Sequence, residues 1–167
     1  MPTLSACEVG RVAADTGGDR MTTVETTDLR VLTVKQPWAS LIASGVKRIE
    51  NRTWTTRYRG PVAIHASLGR EPKAPDMVSA SLRAVGIEAT AAECDLSFGL
   101  SDRTLPAGVI VGVVDLVDVV PATEVPAADG AWVIGPYCWI LRPIPDWRRR
   151  FRLPVEPIRG KLGLWRL

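Results

Sequence analysis

VLTVKQPWASLIASGVKRIENRTWTTRYRGPVAIHAS, residues 31–67, is the stretch whose reading decides the fold. It alternates strand, short helix, strand, basic loop and strand. Residues 30–34 form a short apolar strand. Gln36-Pro37 then opens a helix, because the N–H that proline lacks would be unpaired in a first turn anyway. Trp38, Leu41, Ile42 and Gly45 recur at helical spacing and give one buried stripe, with Ser40 and Ser44 off it. Gly45 is the natural stop, since glycine takes a left-handed cap without penalty. Residues 47–54 predict a strand and 55–60 a loop ending at Gly60-Pro61. Along 61–67, Val62, Ile64 and Ala66 fall on one face and Ala63, His65 and Ser67 on the other.

Working outward, residues 75–86 predict a helix closed by Gly86, with a second short helix near 91–96. Residues 108–120 (GVIVGVVDLVDVV) are the clearest strand, apolar on both faces until Asp115 and Asp118, and are read as the central one. Gly108 and Gly112 within it mark tight packing or a bulge. A Pro/Gly-rich acidic loop holding Trp132 spans 121–135, and 136–142 is a strand. WRRRFRLP (147–154) follows, and GKLGLWRL closes the sheet. Residues 1–28 lack periodicity and are expected to be a disordered tail, with Met21 a candidate start. Residues 29–167 then form one domain. Short strands cut by turns, with helices inserted early, place the fold as α+β: a small open β-barrel of five to six strands and two to three short helices.

Composition agrees. At 167 residues and 46% hydrophobic, the chain can bury a core without staples. Cys7, Cys94 and Cys138 are far apart, no CxxC occurs, and His65 is the only histidine. A four-ligand zinc site has no basis in that spacing, so no metal and no cofactor is expected, and the thiols read as inert ones of a reducing compartment. Without a signal-like start or an apolar run of about 20 residues, a cytoplasmic, membrane-free monomer is expected.

The net charge of +3 conceals a pattern. Residues 28–70 carry eight Lys/Arg against two Asp/Glu, residues 142–167 again eight against two, and residues 71–141 three against ten. Two basic segments that fold into one positive face would suit a phosphate-bearing partner. A solvated surface of mixed sign is the plainer alternative.

The stretch Gln36-Pro37-Trp38-Ala39, Gly45-x-Lys47-x-x-Glu50-x-Arg52-x-Trp54 and Arg59-Gly60 resembles the signature of the ASCH domain, the activating-signal-cointegrator homology domain of the PUA-like barrels. GVIVGVVDLVDV and GKLGLW also resemble family elements. The resemblance implies a PUA-like barrel with a cleft lined by the Gln-Pro-Trp helix and the Lys/Glu strand, meeting RNA, another nucleic acid or a modified nucleoside. It is specific for fold and weak for activity.

Each motif residue has two readings. Lys47 either answers the exposed carbonyls of the helix end or contacts a phosphate. Glu50 either pairs with Arg52 or shares a cleft with Lys47. Strand alternation would put Lys47 on the other face, so sharing requires Lys47 to precede the strand or a bulge to intervene. Trp38 reads as core or cleft wall, and Trp54 as core or stacking platform. Arg57, Tyr58 and Arg59 interleave cations with an aromatic, which suits a phosphate and an exposed base as well as an ordinary loop. Arg148, Arg149, Arg150 and Arg152 around Trp147 and Phe151 form a second basic patch.

Two functions follow. One is a nucleic-acid or nucleotide-binding module, RNA foremost, using Gln36, Trp38, Lys47, Arg52, Trp54, the 57–59 loop and the 148–152 cluster. The other is a metal-independent hydrolase. Small family members that act on N4-acylated cytidine resemble this chain in Gly-x-Lys-x-x-Thr-x-Arg, but Glu50 stands where the threonine nucleophile would be. Glu50 could instead activate water with Lys47 at the oxyanion, or Lys47 with His65, Ser67 or Tyr58 could serve a ribonuclease. A third reading is a protein-interaction or regulatory piece with a degenerate cleft, marked by an exposed apolar cleft entrance with Lys47 locked in a salt bridge.

Overall fold

Hydrophobic runs of strand length pair into one sheet, and that sheet is the frame on which the helices sit. The computed structural model describes residues 29–84, 86–125 and 132–167. The expected tail, Met21 and Cys7 lie outside the described residues. The strands are β1 (Arg30–Gln36), β2 (Ile49–Arg52), β3 (Gly60–Arg70), β4 (Ile110–Pro121), β5 (Tyr137–Pro143) and β6 (Leu164–Arg166). The helices are α1 (Trp38–Ala43), α2 (Ala74–Ala84), α3 (Ala91–Phe98) and the single turn α4 (Trp147–Arg150), the last within the WRRRFRLP segment.

The six strands form one mixed sheet in the order β2-β5-β4-β3-β1-β6. Only β1 and β3 run parallel; the other neighbours are antiparallel. β4 is an inner strand, as its two-sided apolar run requires. The expected barrel does not close, for β2 and β6 remain edges. The sheet curls nonetheless. A flat sheet would hold β2 and β1 roughly 19 Å apart, four strand spacings, yet an Arg52 amine on β2 donates to the Thr33 carbonyl of β1 at 3.1 Å. β6 pairs only with Arg30–Leu32, so Thr33 lies just past the end of that ladder.

Each face of the sheet buries its own core. On one, Leu32, Val34, Ile64, Leu116, Trp139 and Leu141 pack under Ala39 and Ile42 of α1. On the other, Val31, Ala63, Ile110 and Val113 are covered by Phe151 and a C-terminal strap that adds Trp147, Leu153, Ile158 and Trp165. A third cluster joins α1, α2 and α3 through Leu41, Val78 and Cys94.

Both readings of Gly112 hold. The ladder shifts where Ile64 faces Gly112 and His65 faces Ile110, and a Cβ on Gly112 would sit 2.7 Å from Ala43 Cβ of α1. Pro37 precedes α1 rather than filling its first turn, and Gln36 does the capping. The Ser40 amide donates to Gln36 Oε1 at 3.2 Å, while Gln36 Nε2 donates to Ser40 Oγ at 2.9 Å and to the Pro106 carbonyl at 2.6 Å. Gly45 takes the left-handed conformation expected of it, φ +81°, just beyond the helix end.

Candidate functional site

The turn at Gly45 delivers Lys47 to the start of β2. The Lys47 amide donates to the Leu41 carbonyl at 3.0 Å, which keeps Lys47 ahead of the strand and frees it from strand alternation. Its ammonium donates to the Ile49 carbonyl and to Glu50 Oε2, the latter at 2.9 Å. The other Glu50 oxygen receives Arg52 at 3.1 Å. Lys47 is 3% exposed and Glu50 8%, so this ammonium and the carboxylate meet almost out of water, with Arg52 partly exposed beside them. Lys47 Nζ also stands 5.9 Å from the centre of the Trp38 ring, close enough for attraction to the ring face.

Over this pair opens a cavity of about 140 Å³ between Trp38, Trp132 and Met77. That is near the roughly 150 Å³ of an engineered cavity that accepts benzene, and so the size of one flat ring. Asn51 fixes the roof. Its Nδ2 donates to the Trp132 carbonyl at 2.8 Å, and its Oδ1 accepts from the amides of Ile134 and Gly135 at 2.9 and 3.2 Å. The Trp132 ring stands edge-on to Phe98, centroids 6.4 Å apart. Sequence reasoning missed Asn51, Met77 and Trp132 as wall residues. Asn51 sits inside the motif between Glu50 and Arg52, a signal that went unread. For Met77 and Trp132 no spacing points to the cavity.

The remaining candidates scatter. Gln36 is buried and engaged by the start of α1 and by the Pro106 carbonyl. Trp54 is half-buried, edge-on to Trp139 at 4.7 Å, and its carbonyl accepts from the Trp139 indole at 3.3 Å. Tyr58 is half-buried too. Its hydroxyl donates to the Pro61 carbonyl at 2.7 Å, and burial pushes the phenol above its usual range against the opposing charge of Arg30. Arg59 pairs with Asp118 at 2.7 Å; that guanidinium's hydrogen bond holds the Asp118 carboxyl below the usual range. Arg57 is exposed. None of the 55–60 loop lines the cavity: its one aromatic, Tyr58, packs against the α1-side core.

His65 and Ser67 do not join Lys47 and Glu50. Glu50 pairs with Trp139 of the α1-side core, whereas His65 pairs with Thr33 and Ile110 on the strap side. There Nε2 lies 3.0 Å from the Ile158 carbonyl, Nδ1 has no partner, and a Cβ on Gly160 would approach it to 2.8 Å. Ser67 Oγ donates to the Gly69 carbonyl at 3.1 Å. The ribonuclease grouping of Lys47 with His65 or Ser67 is divided by the thickness of the sheet, while Lys47 and Glu50 stay together.

The single positive face is divided likewise. Phe151 anchors the 148–152 segment to the strap side, leaving Arg148, Arg149, Arg150 and Arg152 exposed, with the Arg148 guanidinium 4.3 Å above the Trp147 ring. Cys94 and Cys138 are buried; burial raises both thiols, at Cys138 against the nearby Lys47 charge. No helix among the described residues is long and apolar enough to cross a membrane.

Residues 32–151 match the family model described as the ASCH domain. Among curated proteins, human "Activating signal cointegrator 1" is 35% identical over 88 residues, 52% of this chain and 14% of that protein. The mouse protein of the same name is 35% identical over 89 residues, with the same shares. The chain thus spans only a small part of the length of the curated relatives it matches.

Proposed function

This chain belongs to the ASCH domain family, and from that premise we propose that it binds nucleic acid or a nucleotide, RNA foremost. One base-sized ring enters the cavity between Trp38 and Trp132. The observation that carries this reading is the makeup of that cavity: aromatic walls, a volume near that of a single ring, and a buried donor beside a buried acceptor. Lys47 has three N–H groups and gives two to Ile49 and Glu50, so one remains. Glu50 keeps lone pairs beyond those that meet Lys47 and Arg52. A donor next to an acceptor is what reads the edge of an unpaired base, and indole faces supply the stacking. The salt bridge of the degenerate-cleft reading is present, but the cavity above it stays open.

Binding is favoured over hydrolysis. Glu50 replaces the hydroxyl nucleophile of the amidohydrolase pattern, Lys47 and Glu50 neutralise one another, and His65 and Ser67 lie across the sheet. In this reading the curled sheet is the PUA-like scaffold and the protein a cytoplasmic monomer.

The test is titration of tryptophan emission with the four common nucleosides and their 5′-monophosphates. One of them should change the emission, and Trp132→Ala should weaken its binding by at least about fivefold, the low end of base–aromatic stacking. No response from the wild type at millimolar nucleoside would overturn the reading.

A further inference from the structure

Five of the eight cations of the first basic segment are spent on carboxylates or carbonyls, while Arg30, Arg48 and Arg57 meet no carboxylate within 4.0 Å among the described residues. Lys35 pairs with Glu71, Lys47 and Arg52 with Glu50, and Arg59 with Asp118. Arg70 is spent on the carbonyls of Asp102, Arg103 and Leu105. In the second, Arg142 meets Asp115 at 3.4 Å. Arg148, Arg149, Arg150, Arg152, Arg159 and Lys161 have no carboxylate within 4.0 Å among the described residues.

Four of these cations flank two cavities on the strap side, with Arg149 and Arg150 exposed beside them in the same segment. The first, about 600 Å³, has Arg148 and Arg152 over a floor of Ile110, Trp147 and Phe151. The second, about 530 Å³, has Arg159 and Lys161 beside Thr33 and Ser67. They adjoin where the chain enters β4: Pro106 and Val109 line one and Gly108 the other. No aspartate or glutamate lines either, although Asp146 and Glu156 belong to the same segment. Exposed Val155, Leu162 and Leu68 interleave with the cations.

We propose that this strap face, residues 147–162 with the two cavities, is a second nucleic-acid surface that tracks the backbone of a single strand, across the sheet from the Trp38–Trp132 cavity. The proposal rests on the reading of the chain as a nucleic-acid binder and assigns the grip on phosphate to a place outside the motif. Unpaired guanidinium groups match phosphate geometry. Concave apolar floors and the Arg148–Trp147 stack offer surface to unstacked bases, which a strand has and an acidic protein lacks. The motif cavity then contributes base contact with little salt dependence, and the strap face contributes nearly all of it.

The experiment measures anisotropy of a labelled 12-nucleotide single-stranded RNA over a potassium chloride series. It compares wild type with the quadruple variant Arg148→Gln, Arg149→Gln, Arg150→Gln, Arg152→Gln. Each lost phosphate contact lowers the slope of log affinity against log salt by about 0.7, so the variant's slope should fall by about 2 to 3. A melting curve and the nucleoside titration report that its fold and the motif cavity persist. An unchanged slope overturns the proposal, as does displacement of the RNA by polyglutamate of equal charge as readily as by unlabelled RNA. Nucleoside binding without strand binding overturns the strap face alone. Strand binding with the expected slope change but no nucleoside response overturns the cavity reading alone.

Discussion

Lys47 carries its charge into a site where it is 3% exposed, and such a charge is tolerated only because it is paired. Breaking one side of a buried ion pair is costly, about 3 kcal/mol, since the surviving charge is left without compensation. Lys47→Met should therefore destabilise the protein by about that amount in urea unfolding. Adding Glu50→Gln should recover part of the loss, with a coupling of at least about 1 kcal/mol. Strict additivity of the two changes would show that the pair is not coupled. The pair was half legible in the sequence. Both residues stand in the motif, and the condition for their meeting, Lys47 ahead of the strand, could be stated from strand period alone. Whether the helix end would satisfy it depended on a backbone bond from Lys47 to Leu41, which no pattern of side chains encodes.

At the scale of elements, α1 lies against β4 at Gly112, with no room for a side chain. A Cβ there would come within 2.7 Å of Ala43 Cβ and 3.2 Å of its Cα. Gly112→Ala should cost about 1–3 kcal/mol by overpacking. Ala43→Gly in the same chain should return part of that in urea unfolding despite its own helix penalty of about 1 kcal/mol. If the double variant is no more stable than Gly112→Ala alone, the clash lies elsewhere. The elements themselves were largely readable. α2 and α3 fall within a residue or two of the expected spans, and the six strands follow their apolar runs. α4 was not, because one turn of helix is too short to show a period and Arg148–Arg150 carry no apolar stripe. The start of α1 was displaced by one residue, since Pro37 suits a first turn but precedes the helix, where Gln36 supplies the side-chain bond to the Ser40 amide.

For the whole molecule the deciding fact is curl. Arg52 joins β2 to β1 across strands that share no ladder, and the Glu50 carboxylate holds its guanidinium in place. Arg52→Ala should destabilise the protein by about 2 kcal/mol, the cost of losing hydrogen bonds from a charged group. It should also speed amide exchange in β1 and β2 more than in β4. Uniform acceleration across the sheet would mean that Arg52 is not a local clasp. Curl with a two-sided core also separates the motif cavity from the strap face.

The family, the α+β class, the order of elements and the presence of two basic segments were all legible from residue type and local period. Only the tertiary structure decided which of those cations are free. Arg59 is neutralised by Asp118, 59 residues away, and His65 is parted from Lys47 by a sheet that both flank. Charge cancels and sites assemble according to distance in space. A chain's composition records how many charges it has, and the packing of its sheet records which of them still face a partner.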